Sequence, residues 1–404
     1  MNIIYRHIAR LVNEASEQFP VILMTGARQV GKTTLLKSLD AKRTFVTLDD
    51  PIVRDLAQHD PAGFMQTYRP PVLIDEFQYA PGLLPYIKMA VDHAAGEPCG
   101  QYWLTGSQQF TMMRTVSESL AGRAAILPLG GITQGEEFAR PFEGPFSVNR
   151  KTSLQTTYAA GLAVYERIWR GFYPAIVSGR IKNWQIFYRS YLNTYLERDV
   201  RQILAVSDES RFLMFIKVIA ARTGNLLNLS DVAKDVGISQ PTAKAWLSIL
   251  ESSGIVFLLR PYSANLNARI VKTPKVYFMD TGLCCYLTGW TQASVLSQGA
   301  MNGAILETFV VSEIVRSFWN AGEDAPIWFY RDRTGTEIDL LIAQNGELTP
   351  LEIKRTATPC LDDIRNFKRV IQKGLPLAAG ALICLADRFH TLPGGVKVIP
   401  VGSL

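Results

Sequence analysis

Short apolar runs without a polar alternate punctuate the first third of the chain: Val21 to Thr25, Thr44 to Leu48, Val72 to Ile74, Tyr102 to Leu104 and Ala125 to Leu129. Such a run has no solvent face, so it suits a strand buried on both sides, and the stretches between runs are long enough for crossover helices. The pattern predicts an α/β layer around a parallel sheet over residues 1–140. From 141 to 215 the pattern turns helical and aromatic. Trp184, Tyr188, Tyr191 and Tyr195 step by four, three and four residues, which puts four rings on one helix face. Rings so placed can stack on bases, but a stripe at helical spacing is expected in a core, and the region reads as a helical lid or connector.

Residues 216–294 carry a compact pattern. Ser230 is expected to cap a short helix, Asp231 to Val236, that Gly237 ends, and Ser239 to cap a second helix reaching Gly254. The apolar run Ile255 to Leu259, a polar turn around Asn265 to Asn267 and the run Lys275 to Met279 would then form the hairpin of a winged helix. If the unit reads DNA, Gln240, Thr242 and Lys244 face the groove, and Arg269 and Lys272 meet phosphates. A packing or dimerisation module is the equal alternative. Residues 295–404 return to α/β character: a helix from Ala304 to Trp319, strand-like Ile327 to Tyr330, Ile338 to Ile342 and Leu351 to Ile353, a helix from Asp362 to Ile371, and the run Ala381 to Leu385.

The segment Gly26, Ala27, Arg28, Gln29, Val30, Gly31, Lys32, Thr33, Thr34 fills G-x-x-x-x-G-K-[ST] between an expected strand and an expected helix. Chemistry dictates the composition. A triphosphate needs inward-pointing backbone N–H groups, which glycines permit, and the helix that follows adds positive potential at its N-terminus. Lys32 is placed to reach the β- and γ-phosphates and Thr33 to ligate Mg²⁺. The run Val72-Leu73-Ile74 then ends in Asp75 and Glu76. Asp75 is expected to hold Mg²⁺, directly or through water, and Glu76 to orient and deprotonate the attacking water. At the end of the next run, Trp103-Leu104-Thr105-Gly106-Ser107-Gln108, Ser107 is the expected γ-phosphate sensor, with Gln108 close behind. Arg114 and Arg123 are the candidates for stabilising transition-state charge, within the chain or across a subunit interface.

The order of this loop, Asp75-Glu76, Leu104-Thr105-Gly106-Ser107, Ser119-Leu120-Ala121-Gly122-Arg123 and Tyr195-Leu196-Glu197-Arg198-Asp199 resembles a prokaryotic family of AAA-superclass P-loop ATPases. The C-terminal part of that family is a domain of unknown function similar to the restriction-endonuclease (PD-(D/E)xK) fold. The resemblance spans the chain and implies ATP as the nucleotide, whereas the loop alone also admits GTP.

A second group of carboxylates lies near the C-terminus: Glu307 on a helix, Asp339 in one strand-like run, and Glu352 with Lys354 in another. Alternation puts Glu352 and Lys354 on one face, and pairing of the two strands turns Asp339 towards them. The expectation is a Mg²⁺ or Mn²⁺ site in which Asp339 and Glu352 ligate, Glu307 assists, and Lys354 steadies or deprotonates a water. That resembles the signature of metal-dependent nucleases, with Ile338 standing where some members carry proline.

Composition narrows the partners. With 48% hydrophobic and 19% charged side chains among 404 residues, disorder is excluded as the main state. The longest strongly apolar stretch, Leu375 to Ala386, falls short of the roughly 18–20 residues that span a bilayer, and Met1 to Pro20 has no signal-peptide core, so a soluble, cytoplasmic chain is expected. The five cysteines form no C-x-x-C pair and the four histidines are scattered, which points away from zinc and towards reduced thiols and hard cations. The net charge of +6 is concentrated: residues 141–294 hold 18 basic and 10 acidic side chains, while the flanking regions are balanced. Such a surplus fits nucleic acid and equally a solvated face or an acidic protein partner. Two accounts follow. In one, ATP hydrolysis controls a metal-dependent nuclease on nucleic acid, with homo-oligomers as one form. In the other, the chain is an ATP-dependent switch or DNA- or protein-binding regulator whose nuclease fold is inactive.

Overall fold

The computed structural model describes residues 3–94, 99–106, 119–149, 161–195, 209–262, 273–332 and 334–404. All five apolar runs of the first third are strands: β1 (Val21–Thr25), β2 (Thr44–Thr47), β3 (Val72–Asp75), β4 (Tyr102–Thr105) and β5 (Ala124–Pro128). They form an all-parallel sheet in the order β2-β3-β4-β1-β5. The inner strands β1, β3 and β4 are buried throughout, as uninterrupted apolar runs require, and the edge strands β2 and β5 are partly exposed. Ile22, Met24, Leu73, Trp103 and Leu127 pack against the helices Ala9–Ser16 and Lys32–Leu39 in a core that runs on into the middle of the chain. Leu23, Val46, Val72, Ile74 and Leu104 meet the helices Pro51–His59, Pro61–Thr67 and Leu84–His93. This is the α/β layer of a P-loop nucleotide-binding fold.

The aromatic stripe is core. Trp184, Tyr188 and Tyr191, on the helix Trp184–Tyr195, are buried with Tyr173 and Phe187, and the side chain of Tyr195 lies outside the described residues. A base-stacking platform is thereby excluded for those three rings. The helix Glu209–Ala220 crosses the expected boundary at 215 because Phe212 and Phe215 pack edge-on against Trp246 of the next unit.

In that unit the first helix runs Leu229–Val236 and its cap is Asn228, not Ser230; the Asn228 side chain accepts from the Ser230 N–H at 3.0 Å. Either residue can cap, and the earlier one wins because Leu229 already adopts helical geometry. Gly237 ends this helix with a left-handed backbone (φ 73°), and Ser239 caps the next, Gln240–Ser252. The strand β6 (Asn225–Leu226) before these helices and the strands β7 (Val256–Leu259) and β8 (Lys275–Phe278) after them form an antiparallel sheet in the order β6-β8-β7. The expected turn at 265–267, with Arg269 and Lys272, lies outside the described residues.

The C-terminal region is a mixed sheet packed on the long helix Asn302–Ala321. Its strands are β9 (Ile327–Arg331), β10 (Glu337–Gln344), β11 (Glu347–Lys354), β12 (Ala381–Cys384), β13 (His390–Thr391) and β14 (Lys397–Pro400), in the order β13-β14-β12-β11-β10-β9. β9, β10 and β11 are antiparallel neighbours, and β11, β12 and β14 run parallel. The expected helix Asp362 to Ile371 is a tight turn, Leu361–Ile364, followed by the helix Arg365–Gln372. Past β7 the chain stays against this sheet: Tyr262 N–H donates to the Phe329 carbonyl (2.7 Å) and Phe329 N–H to that of Arg260 (3.1 Å). No helix among the described residues is long and apolar enough to cross a membrane.

Candidate functional site

The loop between β1 and the helix Lys32–Leu39 owes its shape to two glycines. Gly26 sits at φ 140°, and a Cβ there would lie 2.1 Å from the Leu129 carbonyl; Gly31, at φ 97°, precedes the first turn of the helix. Between them Gln29 takes a left-handed backbone (φ 61°). Lys32 is buried, and its ammonium donates to the carbonyls of Gly26 and Ala27, both at 2.9 Å. Arg28 and Thr34 flank the loop, Thr34 on its exposed side.

The end of β3 lies alongside. Asp75 Oδ1 accepts from the hydroxyls of Thr33 and Thr105, both at 2.5 Å, and its other oxygen stands 3.4 Å from Thr47 Oγ1. Three of the parallel strands thus deliver a polar side chain to one point, and the loop adds the fourth. Glu76 follows with a left-handed backbone (φ 55°), uncommon for a residue with a side chain and held here by its N–H on Thr105 Oγ1 (3.2 Å). Its carboxylate accepts from Gln78 Nε2. The oxygens of Thr33 and Asp75 converge as a hard divalent cation requires, so the residues present fit Mg²⁺.

Thr105 was not singled out from sequence, where the expected sensor was Ser107. Ser107, Gln108 and Arg114 lie outside the described residues. The signal was present: a polar residue closing the apolar run that neighbours the Asp75 strand. Arg123 is not brought to its own loop. It precedes β5 at the opposite end of the sheet, a strand length of about 15 Å away at roughly 3.3 Å per residue, and its Nε is paired with Asp92 at 2.6 Å.

Arg6 also went unnoticed. Its side chain is buried and donates to the carbonyl of Val30 in the loop (2.9 Å) and to those of Gly130 (2.8 Å) and Gly131 (3.2 Å) beyond β5. Its Nε stands 3.1 Å from Glu136 Oε1. Glu136 is fully buried; burial pushes its carboxyl up, but Arg6, His7 and the N–H groups of Thr133 and His7 outweigh that and hold it below its ordinary range. The same short helix, Gln134–Glu137, meets the C-terminus: Gln134 Nε2 donates to the carbonyls of Val401 and Leu404 (both 3.1 Å), and its N–H to Glu313 (3.0 Å). Arg140 donates to the carbonyls of Ser403 and Leu404.

At the C-terminal carboxylates the strands pair as expected. Leu340 faces Leu351, and the ladder ends there because the Ile353 N–H turns to Asp339 Oδ2 at 2.8 Å. Lys354 Nζ lies 2.7 Å from Glu352 and 3.6 Å from Asp339. Glu307, from the helix Asn302–Ala321, instead accepts from Lys275 Nζ (3.0 Å) and the Tyr277 hydroxyl (2.6 Å), both on β8. Lys275 also reaches Glu337 at 2.6 Å, and Arg331 meets Glu337 at 3.1 Å. Burial, followed by the charge of Asp339, pushes Glu307 up to about 7 and Glu352 up to about 8. Among the described residues, no three His, Cys, Asp or Glu side chains are grouped to hold a metal ion. The residues of the expected Mg²⁺ or Mn²⁺ site come together in part: Asp339, Glu352 and Lys354 meet across β10 and β11, while Glu307 is paired with Lys275 and Tyr277. Lys275 pairs with Glu307 and Glu337, and Lys354 with Glu352 and Asp339.

Residues 18–138 match the family model of the AAA domain, and 162–294 and 302–404 match two domains of unknown function. Two uncharacterised proteins, from Mycobacterium bovis and Mycobacterium tuberculosis, are each 27% identical over 99% of this chain and 84% of their own length. Among solved structures, a Walker-type ATPase of Pyrococcus abyssi is similar over 70% of this chain and 96% of its own, at 16% identity and a TM-score of 0.43. A Vibrio cholerae protein is similar over 94% of each chain, at 12% identity and a TM-score of 0.18. On the family match over residues 18–138, the N-terminal domain is an ATPase-like P-loop domain of AAA type.

Proposed function

We propose that the chain is an ATP-operated switch: it binds and hydrolyses Mg²⁺-ATP at the loop 26–34, and the nucleotide state sets how the C-terminal region is held. The observation that carries this reading is the meeting of Thr33, Asp75 and Thr105 beside the loop. Lys32 leaves the carbonyls of Gly26 and Ala27 for the β- and γ-phosphates, Thr33 and Asp75 hold Mg²⁺, and Glu76 takes the proton of the attacking water. Mg²⁺ supplies charge neutralisation at the phosphates. ATP is preferred to GTP on the AAA match.

The route outward supports a switch. Arg6 touches the loop at Val30, grips Gly130 and Gly131, and pairs with Glu136, whose helix carries the Gln134 contacts to Val401 and Leu404. A change at the loop has a continuous polar path to the C-terminus. In the middle region, Gln240 and Lys244 are exposed on the second helix of a winged-helix unit that would bind DNA or an acidic partner, in the cytoplasm. Arg123 would act only on a neighbouring subunit of a homo-oligomer.

The second reading, ATP control of a metal-dependent nuclease, is favoured by one observation: Glu352 Oε2 is buried without a hydrogen-bond partner. The test is ATP hydrolysis together with cleavage of plasmid, single-stranded DNA and RNA in Mg²⁺ or Mn²⁺, comparing wild type with Lys32→Ala and Asp339→Ala. The switch reading expects hydrolysis lost in Lys32→Ala and no cleavage in any sample. Cleavage that Asp339→Ala abolishes would replace it with the nuclease reading, and undiminished hydrolysis in Lys32→Ala would remove both.

A further inference from the structure

Lys275 has three features that a surface lysine lacks. It is 3% exposed, its ammonium bridges Glu307 (3.0 Å) and Glu337 (2.6 Å), and those carboxylates come from a helix and a strand of another sheet. Tyr277, two residues on and on the same face of β8, donates to the same oxygen of Glu307. The hairpin strand therefore inserts a cation and a hydroxyl into the carboxylate group instead of lying beside it. A buried ammonium needs such compensation, since an unpaired charge in this setting costs several kcal/mol; burial pushes Lys275 down, and the carboxylates, Glu307 first, more than restore it.

We infer that Lys275 is the resident cation of this cluster: it holds Glu307 and Glu337 in the place of a divalent ion, so docking of β8 and binding of Mg²⁺ or Mn²⁺ at Glu307, Asp339 and Glu352 exclude each other. The ion pairs agree: Glu307, Glu337, Asp339 and Glu352 face Lys275, Lys354 and Arg331, one carboxylate in excess. The orphaned Oε2 of Glu352 is the ligand atom that a divalent ion would take up once Lys275 is gone. This inference does not depend on ATP hydrolysis.

The experiment is titration of the nucleotide-free full chain with Mn²⁺, reading free Mn²⁺ by electron paramagnetic resonance, in wild type, Lys275→Met, Lys275→Arg and Lys275→Met/Asp339→Asn. The expected result is one additional bound Mn²⁺ in Lys275→Met relative to wild type and Lys275→Arg, lost again in the double variant, with thermal unfolding of Lys275→Met shifted upward by Mn²⁺. A folded Lys275→Met that gains no site overturns the inference. So does a wild-type site that Asp339→Asn removes, and that titration decides the matter if Lys275→Met does not fold.

Discussion

Arg6 and Arg316 hold the same short turn: Arg6 donates to the carbonyls of Gly130 and Gly131, and Arg316 to that of Ile132. One arginine touches the phosphate-binding loop, and the other sits on the helix that carries Glu307 nine residues earlier. Arg316 is itself buried, paired with Glu313 at 2.9 Å and stacked over Phe172 at 4.3 Å. At about 1.5 Å per residue, nine residues of helix span about 13 Å. A single helix thus connects the turn after β5 with the C-terminal carboxylates.

Glu76→Gln should bind ATP with near wild-type affinity and lose turnover by roughly 10²–10⁴-fold, the usual contribution of a general base. Equilibrium binding beside steady-state phosphate release checks it. Hydrolysis at the wild-type rate would assign the base elsewhere.

Thr105→Val keeps the shape of the side chain and removes the hydroxyl that serves both Asp75 Oδ1 and the Glu76 N–H. A hydrogen bond to a charged group is worth about 1.5–3 kcal/mol, so kcat should fall by roughly ten- to a hundredfold. A change confined to KM would mean that Thr105 only shapes the binding surface.

Arg6→Ala leaves Glu136, whose side chain is fully buried, without its guanidinium. Breaking a buried pair this way costs about 3–5 kcal/mol. Denaturant unfolding should show that loss, and Arg6→Ala/Glu136→Gln should recover part of it because no buried charge is left unpaired. If the double variant is as unstable as the sum of the single ones, the pair is not the coupling described here.

Glu352 makes the C-terminal region sensitive to pH. Its carboxyl is raised to about 8 by burial and then by Asp339, so the folded state holds a proton that the unfolded state has released. Stability is full below the ordinary carboxylate range and is lost as pH rises towards 8. Glu352→Gln, which cannot ionise, should flatten that decline, raising Tm by a few degrees at pH 8 and little at pH 5. An unchanged slope between those pH values would remove the role of Glu352.

Local signals were legible in the sequence, and contacts made at long range were not. The loop 26–34 and Asp75-Glu76 could be read because motif, strand and helix are contiguous there. Runs such as Val21 to Thr25 marked β1, β3 and β4 because burial on both faces leaves an unbroken apolar string there. The short strand β13 went unseen, since His390 and Thr391 are exposed and carry no apolar alternation. Thr105 was passed over for Ser107 because the end of β4 fixes the site and sequence places such ends only within a residue or two. The partners of Arg6 lie 24 to 130 residues away, and those of Lys275 lie 32 and 62 away, distances at which no periodicity operates. The pairing of Glu307 was missed for that reason: the C-terminal carboxylates were read without the lysine and tyrosine that another sheet brings to Glu307.

The most direct test of the switch is hydrogen exchange of the full chain with and without Mg²⁺-ATP, read at the Val401–Ser403 turn and the helix Asn302–Ala321, in wild type and Lys32→Ala. The account predicts that nucleotide changes protection at both segments in wild type and at neither in Lys32→Ala. Nucleotide-dependent changes confined to residues 18–138 in wild type would contradict it.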